Sequence, residues 1–267
     1  MVTSTGEPVA RSAVLAYRAH VHQLDEPAGG PARCAVLSAG VQDHPTGSTA
    51  HLALRPRLAA PVDGTVDGLV GSGALALAYT VRASLHLHRG DDLATVAAAV
   101  RPVEADDHAK EFGPWGADLL ASGLTSDEAL EQIVAAMTGA ARGRSEITKG
   151  ELSTAVSRAV DERMLHWCER CGARHLSDSL FRYGATQAGL CVARERSGPT
   201  TLLVGELAGS RPDPAAARRE LLRRYLRLAG TATPKQVAGW LALTPRAVRD
   251  KWWASLADEL CEVDVEG

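Results

Sequence analysis

Residues 221–253, LLRRYLRLAGTATPKQVAGWLALTPRAVRDKWW, constrain the fold of this chain more than any other stretch. Leu221, Leu222, Tyr225, Leu226 and Leu228 recur at helical spacing on one face, and Gly230 supplies a stop. Thr233 before Pro234 reads as a helix cap followed by a first-turn proline, and Thr244 before Pro245 repeats the device. Val237, Ala238 and Leu241 form the apolar stripe of the middle helix. The last helix carries Arg246, Arg249 and Lys251 on its polar side. Three short helices ending in a basic one make a helix-turn-helix, an arrangement that sets side chains into the major groove of DNA. A helical packing unit with a solvated charged face would show the same stripe. The segment therefore specifies shape before partner.

A chain of 267 residues holds one large domain or two to three small ones. Its formal net charge is -3, so DNA binding requires a local basic surface. The candidates are Arg218, Arg219, Arg223, Arg224 and Arg227, followed by the basic helix. All but four of the 29 basic residues are arginine, a bias that suits GC-rich coding DNA and carries no function by itself. No run is long and apolar enough to cross a bilayer, and the N-terminus lacks the apolar core of a signal peptide. Five cysteines, an odd number, do not read as a disulfide framework. The expected compartment is the cytoplasm, with no membrane association and no obligate protein partner.

Apolar periodicity predicts helices over residues 14–24, 32–39, 49–59 and 63–71, with a turn-rich loop over 40–48. Strands are predicted over 74–79 and 84–88. Helices followed by a strand pair make a winged helix, assigned to residues 13–89, with residues 1–12 flexible. A second unit, residues 90–196, has helices over 91–100, 126–141 and 148–160, then strands over 167–175 and 189–193. Residues 197–214, rich in Gly, Pro and Ser, read as a linker. Residues 215–267 form the third unit, closed by a strand over 260–265. The expected fold class is mainly α with short β wings (α+β), built from tandem winged-helix units.

In that order the chain offers GVQDHP at Gly40, VRASLHLHRGDDL at Val81, ITKGELS at Ile147, CERCGARHLSDSLFR at Cys168 and YLRLAGTATPKQVAGWLAL at Tyr225. The ordered set resembles the tandem winged-helix DNA glycosylases of the AlkZ type, with the related bacterial crosslink glycosylase YcaQ. The resemblance implies three winged helices lining a concave DNA surface. It also implies excision of N7-alkylated purines, including bulky adducts of DNA-alkylating natural products, as in antibiotic self-resistance. The partner implied is double-stranded DNA carrying alkylation damage, with no cofactor. Longer members carry a C-terminal β-barrel after the third unit, which is expected to be absent here.

The active motif of that family is two polar residues around an apolar one, usually Gln-x-Gln or Gln-x-Asp. Here Gly40-Val41-Gln42-Asp43-His44 departs from it. With Val41 as the spacer, Gly40 takes the first polar position. With Asp43 as the spacer, the polar pair is Gln42 and His44. Gln42, Asp43 and His44 are the catalytic candidates. N7 alkylation puts a positive charge on guanine and weakens its glycosidic bond. The enzyme then stabilises an oxocarbenium-like sugar and positions a water, work suited to an Asp or His base and an orienting Gln. The same residues also make a good turn and helix cap.

Arg55, Arg57, Arg82, His86, Lys149, Arg246, Arg249 and Lys251 are the candidate DNA contacts. His86 and His88 alternate along a strand and share one face. His166, Cys168, Cys171 and His175 have the residue types of a tetrahedral zinc site. Four ligands from ten residues are tight, and a second CxxC is missing. The sequence leaves zinc open, and no metal is assigned.

Overall fold

The computed structural model describes residues 8–44, 49–60, 65–102, 121, 123–194, 198–205 and 212–266. It is mainly helical with small antiparallel sheets. Helix α1 spans Arg11–Val21. Residues 32–39, read as one helix, instead form two 3-10 turns, Pro31–Arg33 and Ala35–Ser38. Cys34 between them is extended, and the Arg89 guanidinium takes the carbonyls of Ala32 at 2.7 Å and Cys34 at 3.0 Å. The Cys34 carbonyl also accepts the Leu37 N–H at 3.2 Å, which closes the second turn.

Residues 40–48, read as a loop, contain strand β1, Val41–Gln42. Helix α2, Thr49–Leu54, gives way to a 3-10 turn at Arg55, earlier than expected, because Pro56 cannot continue an α-helical ladder. Helix α3 is Thr65–Gly71. Strands β2, Leu75–Tyr79, and β3, Leu85–Arg89, pair antiparallel as the sequence predicts, with β3 central between β1 and β2. Helix α4, Leu93–Ala99, is buried on nearly every side.

Helix α5, Ser126–Ala141, opens with a full capping box between Thr125 and Glu128. Strand β4, Glu146–Thr148, leads into helix α6, Lys149–Ala159, capped in the same way by Thr148 and Glu151. The single strand expected over 167–175 is a hairpin, β5 Leu165–Cys168 and β6 Ala173–Leu176. Helix α7, Asp178–Gln187, is absent from the sequence expectation. Seven of its ten residues are buried, the polar Thr186 and Gln187 among them. It also carries Gly184 where a Cβ would lie 2.2 Å from the Ile133 side chain.

Strand β7 is Leu190–Val192. Residues Thr201–Val204, inside the expected linker, form β8, the middle strand of the sheet β4-β8-β7. The Gly/Pro/Ser composition around it concealed a short apolar strand, TLLV. Helices α8 Pro214–Ala229, α9 Pro234–Leu241 and α10 Pro245–Lys251 follow the sequence reading closely. The closing strand expected over 260–265 reduces to an isolated bridge from Val265 to Val9. That bridge also orders residues 8–10, within the segment read as flexible, through Val9 N–H to the Asp264 carbonyl at 2.7 Å.

Two large cores result. One joins the first sheet, α5, α6 and α7, with Leu37, Leu54, Leu77, Leu87, Ile133 and Leu190 fully covered. The other packs α8, α9 and α10 against Val96, Ala99 and Val100 of α4 and its C-terminal end. At the C-terminus of α8, residues of α1 and its following turn take up free carbonyls: Tyr17 that of Arg227 at 2.9 Å, Arg18 that of Ala229 at 2.7 Å, and His22 that of Leu228 at 3.0 Å. Polar and cationic donors suit a helix C-terminus, where unpaired carbonyls gather partial negative charge. This docking sets the N-terminal helix beside the helix-turn-helix.

Candidate active site and nucleic-acid interface

The candidate catalytic stretch begins at Gly40, whose φ of +93° lies in the region open to glycine. A Cβ there would come within 2.4 Å of the His88 ring. The chain enters β1 across that contact and pairs Val41 with Leu87 and Gln42 with His86. The ladder runs one residue further, because the Asp43 N–H donates to the Leu85 carbonyl at 2.8 Å. Side chains alternate along such a segment. Val41 and Asp43 are buried, while Gln42 and His44 are exposed.

Asp43, a candidate base, is therefore turned inward. Its side chain has no exposed area and pairs with Arg194 at 2.5 Å, itself 4% exposed. The other carboxylate oxygen accepts the N–H of His44 at 2.8 Å and of Ala50 at 3.1 Å. Arg194 also lies 3.1 Å from Asp67. A carboxylate held this way has no access to a water at the surface. Gln42 and His44 are thus exposed on one side of the segment, with Asp43 between them facing inward.

Gln42 is held in turn. Arg82 donates to its Oε1 at 2.9 Å and to the Trp240 carbonyl at 2.7 Å, tying β1 to α9. Arg82, expected at the DNA backbone, thus serves as a strut between the two cores. Beside it lies a cleft of about 530 Å³, bordered by Gly40, Val41, Arg18, Arg57, Tyr225 and Trp240 among others. Tyr225 and Trp240 stack there with ring centroids 4.3 Å apart. Arg57 anchors the wall by donating to the Ala53 carbonyl and, at 3.3 Å, to His22 Nδ1.

His86 does not reach DNA as placed. It is 3% exposed, and its Nδ1 lies 2.9 Å from the Ser84 carbonyl. Burial pushes its pKa down to about 4, so it is neutral at physiological pH and offers a phosphate no charge. Its side chain is instead buried on the sheet face it shares with His88. His88, also neutral, is fully buried with Nε2 2.9 Å from Thr80 Oγ1. Burial and then the neighbouring His86 lower its pKa to about 3.

Lys149 is engaged at Asp178 at 2.6 Å and lies over the Phe181 ring. Three of the α8 arginines singled out by charge density are partly buried and paired with carboxylates. Arg224 binds Asp92 at 2.8 Å and Glu220 at 2.8 Å, and Arg223 binds Glu220 at 2.7 Å and Glu259 at 2.7 Å. Arg219 pairs with Glu259 and Asp258. Sequence spacing could not show these partners, because Asp92 lies 132 residues from Arg224. Arg55 and Arg249 are exposed, and the Arg246 side chain is 87% exposed, near Asp250 at 3.6 Å. Lys251 is half-buried beside Arg218 and Trp252. The exposed cations of α10 occupy the position that a recognition helix offers to DNA.

Residues 36–267 match the family of AlkZ-like DNA glycosylases. This chain belongs to that family. A curated relative, an interstrand DNA cross-link repair glycosylase of Streptomyces sahachiroi, is 29% identical over 271 residues, covering 95% of this chain and 67% of that protein. The solved structure of the DNA glycosylase AlkZ of Streptomyces sahachiroi superposes with a TM-score of 0.72 at 26% identity, covering 98% of this chain and 69% of that one. Membership in a DNA glycosylase family implies a DNA substrate. Among the described residues, no helix is long and apolar enough to cross a membrane.

Proposed function

We propose that this AlkZ-like protein is a monofunctional, cytoplasmic DNA glycosylase that excises N7-alkylguanine, or a bulkier N7 adduct, from duplex DNA. The observation that carries the reading is the pairing of Gln42 and His44 on the outer side of β1, beside a cleft walled by Tyr225 and Trp240. Departure of the cationic base takes the electron pair of the C1′–N9 bond and leaves an oxocarbenium-like sugar. Gln42 orients a water by hydrogen bonds, and the His44 imidazole accepts its proton as the oxygen bonds to C1′. The products are the free base and an abasic site. The electrostatic demand is small because the leaving group is already charged. A flat aromatic adduct would stack on the ring pair in the cleft. The similarity to a Streptomyces glycosylase of interstrand cross-link repair, together with these features, supports a role in resistance to a DNA-alkylating natural product.

A second reading, a DNA-binding lesion shield without catalysis, draws on the Arg82 contact that occupies the Gln42 oxygen. Abasic-site formation on a duplex with one N7-methyl-deoxyguanosine separates the two. Wild type is expected to release the base. Gln42→Ala and His44→Ala are expected to lose release while keeping DNA affinity, and His44→Asp to retain it. Binding without release of either a methyl or a bulky adduct would favour the shield.

A further inference from the structure

We propose that the β5–β6 hairpin is a zinc site, with Cys168, Cys171 and His175 as ligands and His166 as the fourth. The hairpin register pairs His166 with His175 and Cys168 with Ala173. Alternation then places His166, Cys168 and His175 on one face, with Trp167 on the other, 53% exposed. The turn Cys168-Glu169-Arg170-Cys171-Gly172 closes as a knuckle. The Cys168 carbonyl accepts the N–H of Cys171 at 3.1 Å and of Gly172 at 2.9 Å, and Gly172 takes φ +58°. The knuckle brings the Cys171 thiol back beside Cys168. One ligand atom from each of Cys168, Cys171 and His175 lies within 4.8 Å of the others. The His166 ring stands edge-on to His175, with centroids 4.9 Å apart.

Ten residues are sufficient because the strands fold the outer histidines back over the turn. Zn–S bonds of about 2.3 Å and Zn–N bonds of about 2.0–2.1 Å put tetrahedral ligand atoms roughly 3.3–3.8 Å apart. The three preformed ligands need to close by about 1 Å to reach that spacing. Thiolate and imidazole donors select zinc over magnesium or calcium. An isolated two-stranded hairpin is marginal in water, and the tip of this one is largely exposed. A metal would close the open end.

The test uses the full chain purified without chelator, with zinc measured by atomic emission. After zinc removal, Co²⁺ alone is added, and the thiolate charge-transfer and tetrahedral ligand-field bands are read. One zinc per chain is expected, with cobalt bands that disappear in Cys171→Ser and His175→Ala. The bands should persist in Cys191→Ser, and the cobalt affinity of His166→Ala should fall at least tenfold. Circular dichroism of each variant confirms that loss of metal is not loss of fold. Wild type without zinc and without cobalt bands, bands indifferent to Cys171→Ser, or a Cys168–Cys171 disulfide in the freshly purified chain would each overturn the site.

Discussion

The buried histidines of β3 make stability fall in mild acid, by an amount the structure fixes. His88 is fully buried and its pKa is lowered to about 3, by burial first and then by His86. The unfolded chain binds a proton at its ordinary pKa of about 6.5, whereas the folded chain keeps His88 neutral down to much lower pH. The contribution is therefore complete above pH 6.5 and is lost as pH falls toward the folded value. Between pH 7 and pH 5 only the unfolded state titrates at this position, which costs about 2 kcal/mol at 1.36 kcal/mol per unit. His86, lowered to about 4, behaves alike over the same interval. The perturbation is His88→Gln, which removes the titration and retains a hydrogen-bonding amide near Thr80. Urea denaturation at pH 7, 6 and 5 gives the two pH slopes. Wild type should lose about 2 kcal/mol more than the variant over that range, a midpoint difference of about 0.7–1 M at an m-value of roughly 2–3 kcal/mol/M. Parallel slopes would refute the reasoning, because they would mean that His88 takes up its proton in the folded state.

Three further perturbations probe the site and its supports. Arg194→Ala leaves the Asp43 carboxylate buried without its cation. It should cost about 3–5 kcal/mol, measured by denaturation, with much of the loss recovered in Arg194→Met combined with Asp43→Leu. Gly40→Ala adds a Cβ 2.4 Å from the His88 ring at a φ of +93°, and strain plus overlap should cost about 2–4 kcal/mol. Arg246→Ala with Arg249→Ala should leave thermal stability unchanged. The slope of log affinity against log salt should fall by about 2 if both side chains meet phosphates, and an unchanged slope would remove α10 from the DNA interface.

What the sequence could show depended on how local each determinant is. Caps and stripes act within a few residues, so α5, α6 and α8 were legible from their apolar spacing, and α9 and α10 from Thr233 and Thr244 with the spacing behind them. Helix α7 was not, because its buried residues include Gly184, Thr186 and Gln187, types that do not signal a core. Strand β8 lay hidden in turn-forming composition, since its edge-to-edge pairing with β4 and β7 has no signature in the residues themselves. At the site, the residues Gln42, Asp43 and His44 were visible, but their directions were not. Direction follows from the register with β3, and Arg194, the partner that holds Asp43 inward, lies 151 residues away. Basic charge misled for the same reason. Three arginines of α8 had distant carboxylates to meet, whereas Arg246 and Arg249 of the short helix after Thr244 stay exposed.

Strand β1 lies at the edge of its sheet, and its register with β3 sets which way residues 41–44 face. Pairing with β3 forces alternation, so the residue between Gln42 and His44 faces the protein interior whatever its type. An apolar residue meets that requirement by burial alone. Asp43 meets it with a charge partner and two backbone donors, Arg194 on one oxygen and the N–H groups of His44 and Ala50 on the other. The N–H of His44 is part of that network, so the buried carboxylate also fixes the backbone of His44. The charge at Asp43 thus bears on stability and on the position of His44. Under the function proposed above, an imidazole stands at His44 where the family motif usually has a carboxylate or amide.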